Sequence, residues 1–268
     1  MQDPREAALD LPVDDGGVGP LPVVFLHALA GSAAQWSGQL ANLREQRRAL
    51  APTLRGHAGA PMPPDGDFEI DAMAADVVRT LDRLSIERFA LAGHSAGAHV
   101  ALAVAAAAPI RVASLLLVDP AGDARAAPRG PSDALLAALA SPDYATAIDQ
   151  HYRALLVGAR APAQHRVLAD LQATPAATVV GVMRAMQRFD PLAALAAYPG
   201  PRLSVHTRFG DQPFSLHRLC PELRSVRIGD SGHWLQLDRP KEFNLIVDGW
   251  LGAINPGRRE AAAAAAAR

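Results

Sequence analysis

Gly93-His94-Ser95-Ala96-Gly97 is the stretch from which the fold can be read. Ahead of it, residues 88–92 read as a short strand, apolar after Arg88 as expected of a buried one. Behind it, residues 96–107 are apolar nearly all round, the pattern of a helix buried on most sides. A tight strand-to-helix turn flanked by glycines holds a serine side chain out at the top of a sheet. The following helix N-terminus aims backbone N–H groups at the same spot. Serine is a poor nucleophile until a base takes its proton. Ser95 is therefore the candidate nucleophile, and a base and an acid are to be sought elsewhere in the chain. A Gly/Ser loop without chemical role is the plain alternative, and the flanking strand and helix weigh against it.

Upstream, residues 22–26 form a second continuous apolar run, ending in His27-Ala28-Leu29-Ala30-Gly31-Ser32. A helix that begins near Ser32 places Trp36, Leu40 and Leu43 on one face. A strand is expected over 48–52, followed by the loop Leu54-Arg55-Gly56-His57 and a proline-rich stretch. Ile70, Met73, Ala74, Val77, Leu81 and Leu84 then recur at helical spacing. Residues 11–24 predict one or two edge strands around an Asp14-Asp15-Gly16-Gly17 turn.

Downstream, residues 112–118 read as another buried strand, ended by Asp119-Pro120. From 131 to 197 the pattern is helical, in four segments punctuated by Pro142, Pro162, Pro175 and Pro191. Alternation then returns: strands over 202–206 and 224–228, a short helix between them over 213–219, and a closing helix over 240–251 with Phe243, Ile246, Val247 and Trp250 inward. The fold class is α/β: a mostly parallel, doubly wound sheet with a helical cap inserted before the last two strands. The expected division is a core of residues 1–122 and 198–257, a cap of 123–197, and a terminal segment 258–268. That alanine-rich segment reads as a disordered tail or an expression remnant. Ligands of such sheets bind outside the carboxyl ends of the strands, where this cap would roof them.

Composition narrows the function. Lys+Arg 26 against Asp+Glu 27 leaves a net charge of -1, which gives no reason to expect nucleic acid or an acidic membrane as partner. The single Cys220 excludes an internal disulfide framework. Residues 1–20 lack a basic segment followed by an apolar run, and no apolar run reaches membrane-spanning length, so a cytoplasmic protein is expected. No HExxH, no Cys/His cluster at metal spacing and no GxGxxG after the first strand occur, so neither a metal nor a cofactor is expected. The expected partner is a small-molecule substrate, met by a monomer or homodimer.

In this order and spacing, Phe25-Leu26-His27 to Ser32, the Gly93–Gly97 elbow and Gly232-His233-Trp234 resemble the α/β-hydrolase fold superfamily, in its capped, esterase-like serine hydrolase branch. The likeness covers nearly everything from 22 to 251. It implies that His233, in the loop before the closing helix, is the general base and acid, and that the backbone N–H groups of Leu29 and Ala96 form the oxyanion hole. It places the acid after the strand 202–206, which favours Asp211; the alternatives are Asp119 and Asp123, where some members carry it. Val205-His206-Thr207-Arg208-Phe209-Gly210 lacks the family's usual strand-end glycine before Thr207, and Ala28 stands where the family usually has glycine. His27, His57 and His99 are expected to bond loop backbone, and His94 to point away from the site. The implied activity is hydrolysis of a small to medium carboxylic ester, lactone or thioester through an acyl-enzyme on Ser95. C–C bond hydrolysis or a lyase reaction with the same residues, and a non-catalytic binding protein of this fold, are the other readings.

Overall fold

The structure is a computed structural model, and it describes residues 8–254. The terminal segment 258–268 lies outside the described residues. Seven strands form one sheet in the order β1-β3-β2-β4-β5-β6-β7: β1 (Val13–Gly16), β2 (Val23–Leu26), β3 (Ala49–Pro52), β4 (Phe89–His94), β5 (Val112–Val118), β6 (Arg202–His206) and β7 (Ser225–Arg227). Only β1 runs antiparallel, against β3; the remaining pairings are parallel. The mostly parallel sheet is the one expected from the alternation of apolar strands and helices, and its architecture is the α/β-hydrolase fold that the resemblance implies.

Both faces of the sheet are covered, as continuous apolar strands require. Side chains alternate between faces along a strand. Val24, Leu26, Leu91, Leu115 and Leu117 pack into one cluster with α2 (Ile70–Arg83) and α3 (Ala96–Ala107). Val23, Phe25, Leu116 and Val118 pack into the other, under α1 (Ser37–Arg44) and α11 (Pro240–Ala253). Ile70, Met73, Ala74, Val77 and Leu81 are the buried face of α2. In α11, Phe243, Val247, Trp250 and Leu251 are buried, with the Trp250 indole N–H donating to the Ser114 hydroxyl at 2.7 Å.

Two local expectations change. Asp14 and Asp15 do not make a turn: they lie within β1, opposite Ala51 and Leu50. Arg44 and Arg48 hold these carboxylates at the sheet edge, at 2.7 and 2.6 Å, which lets two acidic residues occupy an edge strand. Between β5 and β6 there are five helices rather than four: α4 (Arg129–Leu139), α5 (Tyr144–Leu155), α6 (Ala161–Gln172), α7 (Ala176–Arg188) and α8 (Pro191–Ala197). Pro191 opens α8 rather than ending a helix, because Asp190 caps the start by accepting from the Ala193 N–H at 2.9 Å. The helix packs on α3 in the layer beside the sheet, so the part of the insertion free to roof the strand ends is α4–α7. Among the described residues no helix is long and apolar enough to cross a membrane.

Candidate active site

Ser95 sits between β4 and α3 with φ 54° and ψ -117°, a conformation that L residues seldom adopt. The two glycines of the elbow are there for space. A Cβ on Gly93 would lie 2.2 Å from the Gly97 carbonyl oxygen, and one on Gly97 would lie 2.4 Å from the His27 oxygen. The turn can close onto the end of β2 only if both positions lack a side chain. The Ser95 N–H donates to the Val118 carbonyl at 2.9 Å, which ties the elbow to the end of β5.

Asp119 follows directly, at φ 41°. Because His94 is opposite Val118 in the parallel β4–β5 pair, Asp119 emerges beside Ser95 at the carboxyl edge of the sheet. The carboxylate is fully buried and accepts three hydrogen bonds. The Thr207 N–H reaches Oδ1 at 2.7 Å, and the Thr207 hydroxyl and His233 Nδ1 reach Oδ2 at 2.7 and 2.6 Å. Burial pushes this carboxyl up, but the His233 bond and charge, with the two Thr207 bonds, outweigh it and hold it below the ordinary carboxylate range. With Nδ1 donating to Asp119, the free lone pair of His233 is on Nε2.

The structure thus brings His233 to Asp119 and not to Asp211, the residue favoured from the sequence. The reason lies in the chain after β6. Thr207 directs both its donors at Asp119, and Gly210 packs so closely that a Cβ there would stand 2.2 Å from Asp119 Oδ1. The place beside His233 Nδ1 is already filled when the chain reaches Asp211, which turns instead to Arg218 Nε at 2.7 Å. Asp123, the other alternative, is clasped by Arg125 through its backbone and guanidinium.

The surrounding histidines bond to the frame. His27 donates from Nδ1 to the Ala28 carbonyl and accepts the Leu54 N–H at Nε2. His57 bonds the Arg55 carbonyl and His99 the Gly122 carbonyl. His94 donates to the backbone carbonyl of His233 at 3.0 Å and accepts from the Gln236 amide, so it braces the loop that carries His233. Asp238 braces the same loop by accepting the Gly232 N–H at 2.8 Å.

Ala28 does not need the conformational freedom of glycine: the left-handed residue in this loop is Ala30, at φ 51°. Among the described residues, neither the Leu29 nor the Ala96 N–H donates to another group, so both remain free. For Ala96 this follows from its place in the first turn of α3. The Leu29 carbonyl is held by the Tyr152 hydroxyl of α5 at 2.8 Å. Tyr152 and Thr207 therefore belong to the site's frame, although the sequence carries no sign of the hydrogen bonds that place them there.

Ser95, Asp119 and His233 share one cavity of about 310 Å³ with Ala28 and Leu29. Its walls are largely apolar: Leu155, Met183 and Met186 from the insertion, Phe209 and Phe214 from the segment after β6, and Trp234. Among the described residues, no lysine or arginine lines the cavity. Elsewhere, among the described residues, His206, Asp211 and His217 bring three potential metal-ligating atoms within 4.8 Å of one another. The two imidazoles are stacked, with centroids 4.1 Å apart and planes 12° from parallel. Their in-plane lone pairs run alongside each other and do not converge on one ion, and Arg218 already holds Asp211.

The sequence profile of the alpha/beta hydrolase family matches residues 23–244. Over 248 residues, 88% of this chain, the sequence is 27% identical to the dihydrolipoyllysine-residue acetyltransferase component of the acetoin cleaving system of Cupriavidus necator, of which 65% is spanned. A protein of the same description from Pseudomonas putida is 41% identical over 108 residues, 40% of this chain and 29% of that protein. The chain thus spans less than two thirds of the length of either. The sn-1-specific diacylglycerol lipase ABHD11 of Mus musculus is 25% identical over 285 residues, 93% of this chain and 87% of that protein. Among solved structures, a thermophilic esterase from Thermogutta terrifontis has the same fold, with a TM-score of 0.77 over 91% of this chain and 93% of that one at 22% identity.

Proposed function

The chain belongs to the alpha/beta hydrolase family, and on that premise we propose that it is a serine hydrolase cleaving a small to medium, uncharged carboxylic ester. The observation that carries the proposal is the 2.6 Å bond between His233 Nδ1 and the buried Asp119, in the cavity that also holds Ser95 on its strained turn. In this scheme Asp119 keeps the Nδ1 proton in place, so Nε2 of His233 takes the proton of Ser95 as its oxygen attacks the ester carbonyl. The carbonyl oxygen becomes an anion and takes hydrogen bonds from the N–H groups of Leu29 and Ala96. A donor of this kind is worth about 3 kcal/mol of barrier. Collapse expels the alcohol, which receives the proton from His233. Water, activated by the same imidazole, then releases the acid and restores Ser95. The scheme uses no cofactor.

The cavity supports the substrate class. Its 310 Å³ is at the lower end of the range of roughly 300–1,000 Å³ for ligand pockets. Its apolar walls, without lysine or arginine, suit a neutral acyl and alkyl group; a carboxylate would enter with no countercharge. C–C bond cleavage by the same residues calls for polar groups in the roof of the cavity; the insertion lines it with Leu155, Met183 and Met186, with Tyr152, whose hydroxyl is committed to Leu29, and with His151.

The test is a panel of 4-nitrophenyl esters of increasing acyl length, beside a vinylogous diketone as C–C substrate, with Ser95→Ala as control. Turnover of short and medium esters that falls off for long chains and vanishes in Ser95→Ala is expected. Cleavage of the diketone alone would move the assignment to C–C hydrolysis. Inertness towards both, with Ser95 unlabelled by a fluorophosphonate, would leave a binding protein.

A further inference from the structure

One polar side chain in the cavity wall has no part in the acyl transfer just described. Asp119 spends its oxygens on His233 and Thr207, and Tyr152 gives its hydroxyl to Leu29. Gln212 reaches the wall from an exposed position, open to solvent. His151 differs from all of these. It is half-buried in a largely apolar wall, and among the described residues neither ring nitrogen makes a hydrogen bond. Its one ring contact is edge-on to Tyr152, with centroids 5.9 Å apart.

The helix that carries His151 is fixed in place. The hydroxyl of Tyr152 anchors α5 to the Leu29 carbonyl, and its ring lies 5.7 Å from that of Trp234. Four residues after His151, the Leu155 carbonyl accepts the backbone N–H of His233 at 3.1 Å. Residues four apart share a helix face, and both His151 and Leu155 line the cavity. His151 is thereby held on the His233 side of the site. Burial, and then the neighbouring His233, lower its pKa below the ordinary histidine value, so at neutral pH it offers one N–H donor and one lone pair.

In acyl transfer the leaving alcohol collects its proton from His233, so the alcohol half of the substrate lies on this same side. We propose that His151 is a recognition residue for a neutral oxygen substituent on the alcohol half of the substrate, so that the preferred ester carries a hydroxyl or ether oxygen a few bonds beyond the scissile one. This rests on the serine hydrolase reading. A plain alkyl alcohol would exclude water from the imidazole and leave it unpaired, which is unfavourable. An oxygenated alcohol supplies the missing partner. Discrimination arises because the site penalises the analogue lacking the group.

Matched butyrate esters test this: 2-hydroxyethyl against n-propyl, and 2-methoxyethyl against n-butyl, each pair nearly equal in size. The ratio of kcat/KM within each pair is measured by pH-stat for the native protein, His151→Leu and His151→Gln. The native protein is expected to favour an oxygenated member by about tenfold, the worth of one neutral hydrogen bond. The ratio should fall to near one in His151→Leu and recover in part in His151→Gln, whose amide also donates and accepts. A preference for the hydroxyethyl but not the methoxyethyl ester would assign the imidazole as acceptor; preference in both pairs would assign it as donor. Equal turnover of all four esters by the native protein overturns the proposal alone, as does a preference that survives in His151→Leu. A His151→Gln variant that shows no recovery and has a lowered melting temperature also overturns it, because the ring then serves packing. If the native protein hydrolyses none of the four and Ser95 resists a fluorophosphonate, the serine hydrolase reading falls and this proposal with it.

Discussion

Asp119→Asn separates the two acids that competed for the role beside His233. In the native site Oδ2 accepts the His233 Nδ1 proton at 2.6 Å while Oδ1 accepts the Thr207 N–H at 2.7 Å. An asparagine that keeps its oxygen on Thr207 turns its NH₂ towards His233. The imidazole then has to present a lone pair at Nδ1, its proton moves to Nε2, and Nε2 can no longer take the proton of Ser95. The substitution is nearly isosteric, so the geometry survives while the tautomer is wrong. The loss expected from such an inversion is about 10⁴-fold in kcat, or roughly 5.4 kcal/mol of barrier. Asp211→Asn removes only a surface pairing with Arg218 and His217 and should leave kcat close to native. The assay is kcat on a 4-nitrophenyl butyrate at neutral pH, with melting temperatures of both variants as a check on folding. An Asp119→Asn variant within tenfold of native, or an Asp211→Asn variant that falls as far, would refute the reasoning.

Three further outcomes are expected. Gly97→Ala should destabilise the protein by about 3 kcal/mol, the upper end for overpacking, because its Cβ would stand 2.4 and 2.6 Å from the His27 and Leu26 carbonyl oxygens; urea unfolding checks this, and a near-native midpoint would contradict it. Tyr152→Phe leaves the Leu29 carbonyl without its donor, which should lower stability by about 1–3 kcal/mol and reduce kcat through a looser oxyanion loop; native kcat and native stability together would count against the tether. The third concerns acid. Burial lowers the pKa of His27 and His94 to about 3 and of His57 and His99 to about 4, so each stays neutral when folded but takes up a proton when the chain unfolds below about 6.5. The unfolded state then binds more protons, so stability is present above that value and is lost as the pH falls towards the folded ones. The slope is about 1.4 kcal/mol per pH unit for each histidine. Asp76, Asp170 and Asp238, raised by burial, act in the opposite sense nearer the carboxylate range. Urea midpoints that stay constant from pH 7 to 5 would contradict the assignment.

The elbow was legible in the sequence because its signals are local: a buried strand, two glycines and a buried helix are contiguous, and the reason for the glycines is steric and close at hand. That His233 reaches the same cavity as Ser95 was legible from its place in the loop before the closing helix. The carboxylate that pairs with His233 was not, because Asp119 and Asp211 both satisfy the chain order of serine, acid and histidine. The register of β4 on β5 and the donors of Thr207 decide between them, and neither is written in residue spacing. Asp119-Pro120 looks like an ordinary turn until the sheet order sets β5 beside the strand of Ser95. Asp14 and Asp15 misled for a similar reason: their partners Arg44 and Arg48 come from a later segment. The start of α8 is missed when Pro191 is read as a break, although Asp190-Pro191 carries the opposite signal, a cap followed by a first-turn proline. His151 sits in a helical pattern that says which face is buried and nothing about what that face meets.

The most direct test of the central claim is the covalent intermediate. The protein is mixed with excess 4-nitrophenyl acetate, quenched in acid during the first turnovers, and mapped by peptide mass spectrometry. The account predicts a burst of one nitrophenol per chain and one acetyl group on Ser95, with neither in Ser95→Ala. Steady nitrophenol release from a protein whose Ser95 stays unmodified, or an acetyl group carried by another residue while Ser95→Ala turns over at the native rate, would contradict it.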